Sequence, residues 1–201
     1  MIVGDAEQIK TNGDLVFTDP PYDMPADRLA RIINRHAVEH IVMLTTMRQL
    51  IEFLRITDWD LRFDFVIDNI TSKPQRSHHA PHYMHSTGVY LTRHGVSSRF
   101  DRRRRMRSDT YKPGHWPSIL RAPRQHTNVT GMAKNVAAVT DILGAFDTRH
   151  VVDPFAGSGT TGLAAAELGI NCTLIELDRK IAEESFSLLR MVCADVVLTS
   201  C

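Results

Sequence analysis

Val151-Val152-Asp153-Pro154-Phe155-Ala156-Gly157-Ser158-Gly159-Thr160-Thr161 decides the fold. The two β-branched apolar residues read as a buried strand, and the stretch from Thr160 to Leu168 reads as a helix ended by Gly169. Between them, Gly157 and Gly159 let the backbone turn tightly and approach a ligand, while the first N–H groups of the helix have no partner within it. Strand, glycine turn and helix start together make a cradle for a phosphate or a carboxylate. The spacing is not that of a triphosphate loop, and only Gly157, Gly159 and Gly162 meet the dinucleotide pattern Gly-x-Gly-x-x-Gly. Glu176 closes the next apolar strand, roughly 20 residues on, where an acidic side chain can hold both hydroxyls of a ribose.

Far upstream, the apolar run Leu15-Val16-Phe17-Thr18 ends in Asp19-Pro20-Pro21-Tyr22. Two consecutive prolines lack N–H donors and have restricted φ angles, so they make a stiff platform that holds Asp19 and Tyr22 in place. A carboxylate beside a backbone carbonyl can take both protons of an exocyclic amine, and Tyr22 offers a face on which an extruded base can stack.

Strand and helix patterns alternate around these two motifs, the signature of an α/β fold. A helix with Leu29, Ile32, Ile33 and His36 on one face is expected behind Pro25. It is followed by a strand at His40–Leu44, a helix presenting Leu50, Ile51 and Leu54, and strands at Arg62–Ile67 and Gly88–Thr92, with lengths that suit βαβ crossovers. Periodicity fails over 71–128, read as an irregular basic insertion with one or two strands, and returns in a helix over Met132–Phe146. Strands at Val151–Val152 and Cys172–Ile175 and a last helix over Arg179–Met191 complete the chain. The expectation is one doubly wound domain over 1–201, its mostly parallel sheet carrying both motifs at the strand carboxyl ends.

With 201 residues and 43% hydrophobic residues, the chain can bury a substantial core. No apolar run approaches the roughly 20 residues that span a bilayer, and no basic-then-apolar leader opens the sequence, so a soluble, cytoplasmic protein is expected. Cys172, Cys193 and Cys201 are odd in number and lack metal-type spacing, which fits a reducing compartment. The net charge of +1 conceals an asymmetry: ten basic residues against two acidic ones over 93–124 leave the remainder at −7. A basic block on an acidic body points to a polyanionic partner.

Taken together, Asp19–Tyr22 and Asp153–Thr161 resemble the catalytic and cofactor motifs of the S-adenosylmethionine-dependent amino-methyltransferases that act on adenine N6 or cytosine N4 of DNA. The order, with the tetrad first, a variable basic region next and the cofactor loop last, is similar to the permuted β-type arrangement of that family. The resemblance implies a Rossmann-like methyltransferase fold and S-adenosylmethionine as cofactor. It assigns Asp153, Phe155, Gly157, Gly159, Thr160 and Thr161 to the cofactor's methionine and adenosine, Glu176 to its ribose, and Asp5 of Gly4-Asp5 to its adenine. It assigns Asp19, Pro20, Pro21 and Tyr22 to the flipped base, with adenine favoured because the cytosine-N4 members more often begin the tetrad with Ser. Lys134 falls near the family's pre-helix lysine, so it either meets the cofactor carboxylate or is a surface lysine at a helix start. RNA methylation and non-catalytic nucleic-acid binding are the more distant readings.

The same resemblance places target recognition in the basic insertion, so Arg99, Arg102, Arg103, Arg104, Arg105 and Arg107 are expected to meet DNA phosphates. About 30 residues are few for base readout, which points to a short site, relaxed specificity or dimeric binding. His78, His79, His82 and His85 are dense enough for a metal but lack defined element geometry and Cys partners, so a DNA-facing or mobile loop is preferred and no metal is expected. A compact chain of this kind suits a restriction-modification or phage enzyme.

Overall fold

Among the described residues, eight strands of the sheet run one way and a single strand, inserted near one side, runs against them. The computed structural model describes residues 1–37, 39–69, 84–104, 115–122 and 134–200. Its elements are β1 (Ile2–Val3), β2 (Leu15–Thr18), α1 (Ala26–His36), β3 (His40–Thr45), α2 (Met47–Leu54), β4 (Trp59–Asp68) and β5 (His85–Arg93). There follow β6 (Ile119–Arg121), α3 (Val136–Gly144), β7 (His150–Asp153), α4 (Thr160–Leu168), β8 (Asn171–Glu176), α5 (Arg179–Arg190) and β9 (Thr199–Ser200). The nine strands lie in the order β6-β4-β5-β3-β2-β7-β8-β1-β9, with β5 antiparallel to both of its neighbours.

Both faces of the central strands are covered, which is why β2 and β3 are buried at every position. Leu15 and Phe17 point to the face covered by α3 and α4, with Val139, Ile142, Leu143 and Ala164. Val16, one residue out of phase, joins Ile41 and Val152 under Leu29 and Ile33 of α1 and Leu50 and Phe53 of α2. Each large side chain so buried contributes about 1.5–3 kcal/mol. Side-chain caps start three of the helices: Thr46 accepts from Gln49 N, Asn135 from Ala138 N, and Asp178 from Lys180 N and Ile181 N. Such a cap is worth about 1 kcal/mol. Gly169 ends α4 in the left-handed region at φ +67°, where a glycine carries no Cβ penalty.

Several local expectations are corrected. Strand β4 returns as antiparallel β5 rather than through a βαβ crossover, and β5 lies deep between β4 and β3 with Val89, Tyr90 and Leu91 buried, so this part of 71–128 belongs to the core. Helix α2 turns Gln49, Leu50 and Phe53 inward while Ile51 is exposed, because Gln49 satisfies its amide on the Thr45 hydroxyl and the Pro21 carbonyl and takes the place expected of an apolar residue. Helix α3 begins at its Asn135 cap rather than at Met132. Strands β1, β6 and β9 have two or three residues each, too few to show a period. Among the described residues no helix is long and apolar enough to cross a membrane.

Candidate active site

Strand order locates the site before any side chain is considered. From β2 the chain passes through α1 to β3 on one side, and from β7 through α4 to β8 on the other. Adjacent β2 and β7 therefore diverge beyond their carboxyl ends, the position at which open α/β sheets bind ligands. Asp19 follows β2 and Asp153 ends β7. A cavity of about 600 Å³ opens there, lined by Asp5, Asp19–Tyr22, Lys134, Phe155, Gly157 and Glu176 among others. A smaller one of about 180 Å³ holds Asp153, Thr160 and Thr161, and Asp19, Lys134, Phe155 and Gly157 border both.

The glycine loop is pinned from both sides. Gly157 N donates to Glu176 Oε2 at 2.8 Å, Asp178 N donates to Glu176 Oε1 at 2.9 Å, and Ser185 Oγ of α5 donates to the Gly157 carbonyl at 2.7 Å. Asp153 is buried and accepts from Phe155 N at 3.0 Å and from the Thr161 hydroxyl at 2.5 Å. Burial outweighs those two bonds and raises its carboxyl to about 7. Gly157 sits at φ +50°, and a Cβ there would meet only the Phe155 carbonyl, at 3.9 Å, so its missing side chain is open space beside the cavity. Gly159 and Gly162 serve packing instead. A Cβ on Gly159 would face Ser185 and Leu189 of α5, and one on Gly162 would lie 2.7 Å from Leu174 Cδ1 of β8. Gly159 thus stands apart from both cavities, whereas Thr160 and Thr161 border the smaller one.

Register brings the amino-terminal strand to the same place. Val3 pairs with Glu176 and Gly4 N donates to the Glu176 carbonyl at 2.9 Å, which sets Asp5 at the cavity beside Glu176. Asp5 Oδ1 accepts from Glu7 N, and Oδ2 lies 3.4 Å from Arg28 of α1. The Pro-Pro platform is held from α2: Gln49 Nε2 donates to the Pro21 carbonyl at 2.8 Å, as does Met24 N at 3.0 Å. Tyr22 is 46% exposed, leaving ring surface for stacking. Burial, then the charge of Asp19, pushes its phenol above the ordinary tyrosine value.

Lys134 is neither a surface lysine nor directed away from the tetrad. Its Nζ lies 2.9 Å from Asp19 Oδ2, 3.4 Å from Ser86 Oγ and 3.5 Å from Tyr22 Oη. Burial opposes its charge, but Asp19 and Tyr22 prevail and hold the ammonium above the usual lysine value. Asp19 Oδ1, by contrast, is buried with no hydrogen-bond partner among the described residues.

The basic run lies elsewhere. Arg99 pairs with Asp14, which precedes β2, and Arg104 with Asp147 and the Gly144 carbonyl, which precede β7. These contacts belong to the amino ends of the same strands whose carboxyl ends carry the cavity, roughly 13 Å away along four strand residues. Arg103 pairs with Asp101, and Arg102 is exposed. Antiparallel β5 carries the chain to this edge, so Arg99 and Arg102–Arg104 stand at the end of the sheet opposite the cavity. Arg105 and Arg107 lie outside the described residues, as do His78, His79 and His82 of the histidine cluster. No group of metal-binding side chains occurs among the described residues. Three site residues had no sequence signal: Gln49, hidden at an apolar helix position, and Arg28 and Ser86, which tertiary pairing alone brings in.

The family model for N6/N4 methyltransferases, described as DNA methylase, matches residues 101–187. No curated protein sequence matches the chain. Among solved structures, M1.HpyAVI in its complex with S-adenosylmethionine is 21% identical with a TM-score of 0.69, covering 94% of this chain and 100% of that one. TTHA0409 of Thermus thermophilus, complexed with S-adenosyl-L-methionine, is 17% identical with a TM-score of 0.69 and coverages of 100% and 98%. The cytosine-N4-specific PvuII DNA methyltransferase is 15% identical with a TM-score of 0.72 and coverages of 97% and 86%. At these identities the structures attest the shared fold. The family match takes in β7, the glycine loop and Glu176, whose geometry carries the cavity, so this part of the chain is similar to the N6/N4 DNA methylase family.

Proposed function

We propose that the chain transfers a methyl group from S-adenosylmethionine to the exocyclic N6 amine of an adenine extruded from DNA. The observation that carries this reading is Asp19 Oδ1, a buried carboxylate oxygen without a hydrogen-bond partner among the described residues, on a side chain that lines the crevice together with Gly157 and Glu176. Leaving such an atom unpaired is costly, so its partner belongs to the loaded state.

The residues present fit the cofactor. The larger cavity is within the roughly 300–1,000 Å³ of small-molecule sites, Gly157 leaves the space a Cβ would fill, and Glu176 can accept from ribose hydroxyls while keeping its two backbone donors. M1.HpyAVI and TTHA0409 were both solved with this cofactor. When bound it would supply an electrophilic methyl on a sulfonium, N–C bond formation being matched by C–S bond breaking with that bond's electron pair left on sulfur and one amine proton lost to solvent.

The chain's own part is orientation. The Asp19 carboxylate accepts a hydrogen bond from one amine proton, and since the Pro21 carbonyl is engaged by Gln49 and Met24, we assign the second to the Pro20 carbonyl. This directs the nitrogen lone pair toward the methyl, and Tyr22 stacks on the base. The Asp at the head of the tetrad favours adenine; cytosine N4, the target of the PvuII enzyme, is the second reading.

Incubation with labelled cofactor and duplex DNA, followed by nucleoside analysis, tests the proposal. N6-methyladenine formation lost in Asp19→Ala is expected, N4-methylcytosine would select the second reading, and cofactor binding without transfer to DNA would overturn both.

A further inference from the structure

Resting on that reading, we infer that Lys134 is a positioning residue of the amine subsite: its ammonium ties down Asp19 through Oδ2 and so fixes the orientation of the carboxylate at the head of the tetrad. The geometry is one-sided. Lys134 Nζ sits 2.9 Å from Oδ2, while Oδ1 is buried and has no hydrogen-bond partner among the described residues. A lone carboxylate can rotate and offer either oxygen to an amine; one bonded to a fixed ammonium cannot do so without breaking a charge-assisted hydrogen bond.

The ammonium is itself held. Asn135, the next residue, caps α3 through Ala138 N and anchors the backbone. At the other end Ser86 Oγ, buried at the start of β5, lies 3.4 Å from Nζ and 3.4 Å from Asn69 Nδ2 at the end of β4. A polar string thus runs from the β4–β5 pair through Lys134 to Asp19 and Tyr22, joining the antiparallel part of the sheet to the tetrad. Lys134 is also matched to Asp19 by charge. Among the described residues the other cation at the cavity, Arg28, is committed to Asp5 and Glu7, while Glu176 adds negative charge from β8.

A positioning role and a cofactor-carboxylate role separate in experiment. We would measure kcat for transfer to duplex DNA, and by calorimetry the affinity for S-adenosylhomocysteine, in the native chain, Lys134→Met, Lys134→Arg and Ser86→Ala. Positioning predicts that Lys134→Met lowers kcat on the order of 100-fold with the Kd for S-adenosylhomocysteine within about threefold. Lys134→Arg should recover part of the loss, and Ser86→Ala, which loosens the ammonium without removing it, should lower kcat less and leave the Kd alone. A Kd that rises in parallel with the fall in kcat would overturn the assignment in favour of a cofactor ligand, and so would an unchanged kcat in both Lys134→Met and Ser86→Ala. A native chain that binds S-adenosylhomocysteine yet methylates no DNA would refute the methyltransferase reading itself and this assignment with it.

Discussion

Replacing Asp153 by Asn should change how stability depends on pH. In the native chain burial raises this carboxyl from 3.8 to about 7, against the bonds from Thr161 and Phe155. The folded state therefore keeps a proton that the unfolded chain releases between about pH 4 and 7, and stability falls as pH rises through that window. With 3.8 for the unfolded and about 7 for the folded state, the linkage relation makes this contribution about 2 kcal/mol larger at pH 5.5 than at pH 8. Asn is of similar size and can still accept from Phe155 N, but it does not titrate. His36 and His40, whose protonation burial disfavours, act in the opposite sense and are common to both proteins, so they cancel in the difference. Urea unfolding of the cofactor-free proteins at the two pH values is the assay. The native-minus-variant stability should drop by about 2 kcal/mol from pH 5.5 to pH 8. A difference that stays constant within about 0.5 kcal/mol would refute the reasoning and return Asp153 to the carboxylate form throughout.

Gly157→Ala forces a side chain into the left-handed region and points its Cβ at the cavity, so we expect a stability loss of roughly 1–2 kcal/mol and a tenfold or greater drop in affinity for S-adenosylhomocysteine by calorimetry; native affinity would place the ligand elsewhere. Arg99→Ser combined with Arg104→Ser should leave the slope of log K for DNA against log salt within about one unit of native, because both arginines lie at the edge opposite the cavity; a loss close to two, the share of two phosphate contacts, would bring DNA to that edge.

The local chemistry was legible because each piece is local. Asp153–Thr161 announces its turn through glycines at positions that need φ above zero, and α4 runs over Thr160–Leu168 as its pattern predicts. Helix α2 shows where such reading stops: Gln49 occupies the inward face only because Thr45 and the Pro21 carbonyl meet it there. Hydrophobic periodicity cannot register a polar residue that is satisfied by tertiary partners. Arg99 and Arg102–Arg104 show the same limit for charge. Composition marks a basic run, but the direction of β5 determines which end of the sheet receives it.

The sequence by itself determined the kind of site: a glycine cradle with an acidic residue beyond it, a stiff amine-accepting tetrad, and an α/β frame with strands ahead of both. Only the tertiary structure decided that β2 and β7 are neighbours and that Lys134 closes on Asp19. The physical reason is range. Turn chemistry and periodicity act within a few residues, whereas the pairing of Lys134 with a carboxylate 115 positions earlier in the chain exists only once the strands have crossed over and the sheet has closed its core.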